Sequence, residues 1–366
     1  MIVVLAAITV SGVNFCVLAL RLTEGLLFLL PDFSMANIVL IVSNSADLHV
    51  DLVLPLLRQP VQSFRLDLDC FPRDYQLWQS FSAGKIVGKL RHLPTDTQIA
   101  LEDITAVWLR KPADFSFRAT DLAAQELAFA KEETEHALLG LLYALNCFWV
   151  SHPLQLRGAM WKIEQLHRAQ QFGFQIPPSL VCNLPAAVQQ FAEGKQVIFK
   201  TLSTPLLGAE LVSAEDCIAE GLPTTLLSAD DLLDLEAVQE LPCHFQHYIH
   251  KAYELRVTVI GDRVFAARID SQDDDRTKVD CRDMSAPVRY SAYRLPAALA
   301  QRCVDFVHSY GLQYSALDFI RTPDQHYVFL ENNPNGQFVY IEQLIPEFQL
   351  CQALADLLVQ GALCRN

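Results

Sequence analysis

The stretch spanning residues 315–336, SALDFIRTPDQHYVFLENNPNG, constrains the chain most. It reads as two strands, Tyr314–Arg321 and residues 327–331, joined by a turn that carries Pro323 and Asp324. A four-residue loop over 323–326 pairs Thr322 with Tyr327 and sets Asp318 directly opposite Glu331. Side chains alternate along strands, so both carboxylates then share one sheet face with Asn333, and with the apolar Ile320, Tyr327 and Phe329. Two carboxylates on a face expected to be buried repel each other unless a cation holds them. Hard oxygen donors of this kind suit Mg²⁺, which keeps some of its waters and bridges to substrate phosphates. The competing reading is a solvated hairpin with incidental acids. The apolar neighbours and the amide of Asn333 favour a site.

At 366 residues and 51% hydrophobic content the chain is long enough for a large core and two or three domains. A net charge of −14 argues against a general nucleic-acid binder. The ten cysteines are scattered, with no CxxC pair and no His/Cys cluster at zinc spacing, which fits reduced thiols in a cytoplasmic protein. Residues 1–34 are a hydrophobic extension, with an apolar run over 2–20 broken by Ser11, Gly12 and Asn14. The run lacks the basic start and cleavage site of a signal peptide. A fresh start at Met35, MANIVLIVSNS, makes the extension dispensable to the fold or the product of an early start codon. A membrane anchor is the alternative.

Residues 36–153 alternate strand and helix: strands at 37–42, 61–68, 86–93, 106–110 and 147–150, helices at 47–58 and 121–145. This alternation implies an α/β domain with a largely parallel sheet. With no GxGxxG after the first strand, a Rossmann dinucleotide site is not supported. Arg110 and Lys111 end a buried strand before Pro112, where open α/β sheets bind ligands, so they are candidate substrate contacts or ordinary surface cations. A helix over 156–172 carries Lys162 and ends at Gly173. After the strand Ser179–Cys182, a helix spans 185–193 and a strand 196–200, from which Lys200 enters a Ser/Thr/Gly loop as a candidate phosphate ligand. A strand covers 243–249, and Tyr253–Ile260 with Arg263–Ile269 form a hairpin across Gly261 and Asp262. Glu254, Arg256 and Arg268 stand in otherwise apolar strands, where charges are paired or used. Helices are expected over 296–310, 337–342 and 348–359, making the C-terminal half α+β.

The ordered set of helix-borne lysine, strand lysine, hinge strand, ELR hairpin and D…ExN resembles an ATP-grasp ligase. The segments FQHYIHKAYELRVTVIGDRVFAARIDSQ and LENNPNGQFVYIE resemble the microviridin and graspetide peptide maturases, and more distantly the ribosomal-protein glutamate ligases. The similarity runs from about residue 35 to the end, and VWLRKP carries it in the first domain. It implies a Rossmann-like pre-ATP-grasp domain over 35–153, a small lid lobe over 154–245, and a C-terminal lobe over 246–366 with the metal and ATP site. It further implies that Lys162 and Lys200 contact the nucleotide phosphates. By the same resemblance Gln246, His247, Tyr248 and Ile249 would form the hinge beside adenine, bonding largely through backbone, and Glu254 would lie near the ribose. Arg256 and Arg268 would stabilise the γ-phosphate and an acyl phosphate, and Asp318, Glu331 and Asn333 would hold Mg²⁺, with Mn²⁺ as the alternative. Two departures stand out: relatives often carry Asn where Trp161 precedes Lys162, and the loop after Lys200 contains only Gly208.

The function implied is an ATP- and Mg²⁺-dependent ligase that closes side-chain ester or amide rings in a leader-guided precursor peptide, acting as a homodimer without nucleic acid. Phosphoryl transfer to a carboxylate needs charge stabilisation more than covalent help, which lysines, arginines and Mg²⁺ supply. Two rivals remain: a ligase joining a small amino acid or protein terminus to an amine, and a catalytically silent peptide- or nucleotide-binding module. The full set of charged residues speaks against the second.

Overall fold

The computed structural model describes residues 9–10, 13–14, 36–82, 85–111, 113–203, 206–207, 220–283 and 285–364. In the unit formed by residues 1–35, the strands Thr9–Val10 and Val13–Asn14 pair antiparallel. The expectations for the N-terminal extension otherwise lie outside the described residues, as does Gly208. Among the described residues no helix is long and apolar enough to cross a membrane.

Residues 36–366 form the second unit and contain the remaining sheets. Its first sheet is parallel, in the order Val61–Asp67, Asn37–Ser43, Ile104–Leu109, Phe148–Val150. The continuous apolar run over residues 38–42 of the strand Asn37–Ser43 is explained by cover on both faces. Ile38, Leu40 and Val42 pack towards the helix Ala124–Ala144, and Val39 and Ile41 towards the C-terminal helix Leu350–Leu363. The strand expected at 86–93 is not part of this sheet. It is Lys85–His92, the middle of a separate antiparallel sheet with Tyr75–Ser82 and Thr97–Ala100. Only two residues separate the first two of these strands, enough for a hairpin and far too few for a parallel crossover.

The expected helix over 156–172 is two helices, Pro153–Ala159 and Lys162–Gln171, broken at the exposed Met160 and Trp161. The break is satisfied from within: the side-chain amide of Gln165 donates to the carbonyl of Ala159 at 2.7 Å.

Besides the short antiparallel pair Leu206–Leu207 with Glu220–Gly221, two larger antiparallel sheets follow. The smaller orders Ser179–Cys182, Cys243–His247, Val197–Lys200 and Thr225–Leu226. One of its faces packs Val197, Phe199 and Phe245 against the helix Pro185–Ala192. The larger orders Tyr290–Tyr293, Arg263–Ile269, Tyr253–Ile260, Tyr314–Arg321 and Tyr327–Asn333. Leu255, Val257, Leu317, Phe319 and Phe329 bury one face under the helices Lys162–Gln171 and Ala297–His308. The opposite face carries Arg256 and Asp318 and, at its far end, Ile260 and Tyr314, which join the core shared by the first parallel sheet and Leu350–Leu363.

Candidate active site

Asp318 does stand opposite Glu331, but not through the expected loop. The ladder ends one pair earlier, at Arg321 and Tyr327, and the turn is closed by Thr322, whose amide donates to the carbonyl of His326 at 3.0 Å. The ladder then runs Phe319 to Phe329 and jumps to Asp318 with Glu331, leaving Leu330 as a bulge. One extra residue restores the register and reverses the alternation. Tyr327 and Phe329 therefore lie on the opposite face from the one expected, and Phe329 stacks on Phe174 in the core.

The two carboxylates and Asn333 come together. The Asn333 amide donates to Asp318 Oδ2 at 2.8 Å and lies 3.5 Å from Glu331 Oε1. Arg256, directly across the ladder from Asp318, gives both its carboxylate oxygens a bond from Nη1, at 3.0 and 2.9 Å. Burial lifts the Asp318 carboxyl to about 6 against the pull of Arg256, and Glu331 adds to the rise. Burial also opposes ionisation of Glu331, but Lys200, then Lys162, Arg282 and Arg256 outweigh it and hold this carboxyl below its ordinary range. Two carboxylates and an amide, crowded and only partly exposed, are a donor set that suits a hard divalent cation. A half-turn of the Asn333 amide presents its oxygen beside both carboxylates.

Lys162 and Lys200 reach this cluster from two different elements. Lys162 opens the helix Lys162–Gln171; its ammonium donates to the Thr201 carbonyl at 2.8 Å and lies 3.5 Å from Glu331 Oε2. Trp161 before it is 62% exposed and caps the helix without a side-chain bond, so the departure from Asn leaves Lys162 directed at the carboxylate. Lys200 ends its strand opposite His244, and burial lowers its pKa while Glu331 opposes the fall. Ile198 and Gln246 share this face of the small sheet with Lys200 and His244. His244 and Gln246 are buried, and both ring nitrogens of His244 and Oε1 of Gln246 have no protein partner. Burial, then Lys200 and Lys162, push the His244 imidazole down to about 4, so it is neutral.

The rest of the hinge is partly committed. The His247 and Tyr248 amides donate to the carbonyls of Pro178 and Gln196, the His247 ring stacks on Phe191 away from Lys200, and the Tyr248 hydroxyl donates to the Lys278 carbonyl. Ile249 lines a cleft of about 700 Å³ with Tyr248, His250 and the turn at Thr322. Glu254 shares the face of Arg256 and Asp318 but pairs with Lys251 at 2.7 Å, not with Arg256.

Three expected site residues lie elsewhere. Arg268 pairs across the ladder with Leu255, on the core-facing side of the sheet. There it bonds Asp270 at 2.6 Å and stacks on Tyr253 at 4.1 Å, so alternation separates it from Arg256. Arg110 is 1% exposed and donates to the Asn335 carbonyl and side chain at 3.0 and 2.9 Å. It holds protein and is closed to a substrate. Lys111 beside it is exposed, and burial of its stem, then Arg110, lowers its pKa.

Sequence reasoning missed several residues of the site. Arg282, from the irregular segment before Tyr290, acts on Glu331 and is held by Asp280 from Nε at 2.8 Å. Its Asp-x-Arg spacing was a usable signal. Gln165 brackets Asn332 by donating to its carbonyl at 2.8 Å and accepting from its amide at 2.9 Å. Nothing in a helical glutamine announces that role. Gly336 approaches so closely that a Cβ there would lie 2.6 Å from Arg256 Nη2, which explains glycine at this position.

Residues 38–157 match the family described as the MvdD pre-ATP grasp domain. No curated protein sequence matches the chain. Among solved structures, the chain is similar to a RiPP-associated ATP-grasp ligase from Chryseobacterium gregarium, in complex with ADP and a leader and core peptide. That match has 28% identity, 88% of this chain and 97% of that one covered, and a TM-score of 0.80. It is similar also to the macrocyclase MdnC of Microcystis aeruginosa MRC, bound with precursor peptide MdnA, at 30% identity, 88% and 99% coverage and a TM-score of 0.75. The macrocyclase MdnB of the same organism matches at 29% identity, 88% and 99% coverage and a TM-score of 0.70. Correspondence over 88% of this chain and 99% of MdnC at 30% identity, with the matching pre-ATP-grasp domain, shows that the chain belongs to the ATP-grasp ligases of the microviridin and graspetide type.

Proposed function

We propose that this protein activates an Asp or Glu side chain of a ribosomally made precursor peptide with ATP, releasing ADP, and passes the acyl group to a hydroxyl or amine. The observation that carries the proposal is the convergence of Lys162, Lys200, Arg256 and Arg282 on the Asp318 and Glu331 carboxylates. The similarity to ligases crystallised with ADP, leader and core peptides supports a peptide as the substrate.

In this proposal Asp318, Glu331 and Asn333 hold Mg²⁺, which when bound neutralises phosphate charge as it redistributes. Lys162 and Lys200 bind the nucleotide phosphates. Gln246 presents its unpartnered Oε1 on the sheet face it shares with Lys200 and His244, where an amino group of adenine is a fitting donor, with His247, Tyr248 and Ile249 continuing the hinge. Glu254, fixed by Lys251, faces the ribose. A substrate carboxylate oxygen attacks the γ-phosphorus as ADP leaves, and the acyl carbon is then attacked by the hydroxyl or amine as phosphate leaves. Arg256 orients this charge, tied at once to Asp318 and, at 3.4 Å from Nη2, to the Gln337 carbonyl. Arg282 takes the place on the phosphates expected of Arg268. We assign residues 35–153 to the pre-ATP-grasp domain, 154–245 to the lid and 246–366 to the catalytic lobe. The protein acts as a leader-guided homodimer in the cytoplasm, a setting that suits the free thiols of its described cysteines.

The test is intact mass of an acidic, Ser/Thr/Lys-containing peptide encoded beside the gene, incubated with the protein, ATP and Mg²⁺. ATP-dependent loss of one or more waters is the expected result. An unchanged peptide with ADP released only on adding small amines would replace it with a small-substrate ligase.

A further inference from the structure

Asn333 and the Arg256–Asp318 pair depend on the path of the next few residues, and that path is fixed from the first sheet. Arg110, the residue after the strand Ile104–Leu109, bonds the carbonyl and side chain of Asn335 through one nitrogen. Asn335 returns a bond from its amide to the Arg110 carbonyl. The guanidinium is fully buried, and Nε lies 3.5 Å from Asp47 Oδ2. Asp47 also accepts from the Ser43 hydroxyl at 2.6 Å and caps the helix Leu48–Val53 through the His49 amide at 3.0 Å. His49 Nε2 accepts from the Phe338 amide at 3.2 Å, leaving Nδ1 to donate to Asp47 at 3.1 Å. From the other side, the Tyr314 hydroxyl donates to the Gly336 carbonyl at 2.8 Å and Arg256 reaches Gln337.

We propose that Arg110 and Asn335 are positioning residues for the metal site. They clamp the loop after Asn333 so that Asn333 and Arg256 meet Asp318 and Glu331 in register. The first domain thereby sets metal affinity without any of its side chains touching the reacting atoms. Two observations carry this. Nη1 of a fully buried guanidinium is spent on one loop of a distant segment, although Asp47 of its own domain, 3.5 Å from Nε, already balances the charge. The clamped loop also leaves no room for a side chain at Gly336, where a Cβ would lie 2.6 Å from Arg256 Nη2, 3.0 Å from Ala316 Cβ and 3.2 Å from Asn333 Cβ. Groups that orient metal ligands typically change metal affinity by about 10–100-fold when removed.

The inference rests on Asp318, Glu331 and Asn333 as the metal holders, and its test separates the two. ADP binding to the full chain is titrated against Mg²⁺ by calorimetry for wild type, Asn333→Ala, Asn335→Ala, Arg110→Lys and the double variant Arg110→Lys/Asn335→Ala. Asn335→Ala and Arg110→Lys are expected to raise the Mg²⁺ concentration for half-maximal tightening at least about tenfold. Metal-free ADP affinity should stay within about twofold, and the double variant should be little worse than either single one, since both cut the same clamp. If Arg110→Lys does not fold, Asn335→Ala decides alone. A Mg²⁺ midpoint within twofold of wild type in Asn335→Ala, with Asn333→Ala shifted, overturns the positioning role. An unshifted Asn333→Ala overturns the metal assignment instead.

Discussion

Glu331→Gln keeps the size of the side chain and an acceptor oxygen but removes the charge that balances Lys162, Lys200 and Arg282. At an effective dielectric of about 20, a full ion pair at the 3.5 Å separating Lys162 and Glu331 is worth about 5 kcal/mol. Solvent reaches both partners, which are 22% and 24% exposed, and the lysines can turn outward, so folding should lose only about 1–2 kcal/mol. Catalysis has no such relief. With ATP in the cleft, the missing charge is felt where the phosphoryl group carries its negative charge, and a loss of about 4 kcal/mol there is about 10³-fold in turnover. The assay is ADP release with intact mass of the precursor peptide at saturating ATP and Mg²⁺, alongside the melting temperature. We expect turnover to fall about 10³-fold with melting lowered by only a few degrees. Turnover within tenfold of wild type would refute the reasoning, since a carboxylate central to the charge balance would then be dispensable.

Arg268→Ala tests the face assignment. Asp270 keeps its bond from Arg289 at 2.7 Å, so the variant should lose less than about 1 kcal/mol and keep turnover within about threefold; a hundredfold fall in kcat would return Arg268 to the phosphates. Asp280 supplies a pH dependence: burial opposes its ionisation, yet bonds from Arg282 and the Thr224 amide hold its pKa at about 2. A folded-state pKa below the unfolded one gives stability that is present above about pH 4 and lost as pH falls towards 2. Screening of the 56%-exposed Arg282 leaves this at about 1 kcal/mol. In urea titrations Asp280→Asn should therefore be less stable than wild type at pH 5, with the gap shrinking at pH 3. A gap equal at both pH values would show that the carboxylate charge is not what Arg282 and Thr224 read.

The sequence by itself determined the strands, because apolar alternation and Gly261 with Asp262 fix the hairpin Tyr253–Ile260 with Arg263–Ile269 locally. It also placed Asp318 beside Glu331 and marked Lys200 as a strand-end candidate for phosphate, whereas Lys162, on a helix, was marked only by the family resemblance. Even there the agreement hid two compensating differences, a turn closed one pair earlier and a bulge at Leu330, and only the ladder shows that Phe329 belongs to the core. Tertiary structure alone decided the rest. The hairpin register already sets Arg268 opposite Leu255 and so on the other face from Arg256, but which of the two faces is the site depends on the cover by Ala297–His308, which no local pattern carries. Arg110 was legible as a strand-end cation but not as the clamp on Asn335, 225 positions later. Contacts at such separation are set by how Leu350–Leu363 and the larger sheet pack on the first domain, where burial rewards any apolar pairing and geometry selects one.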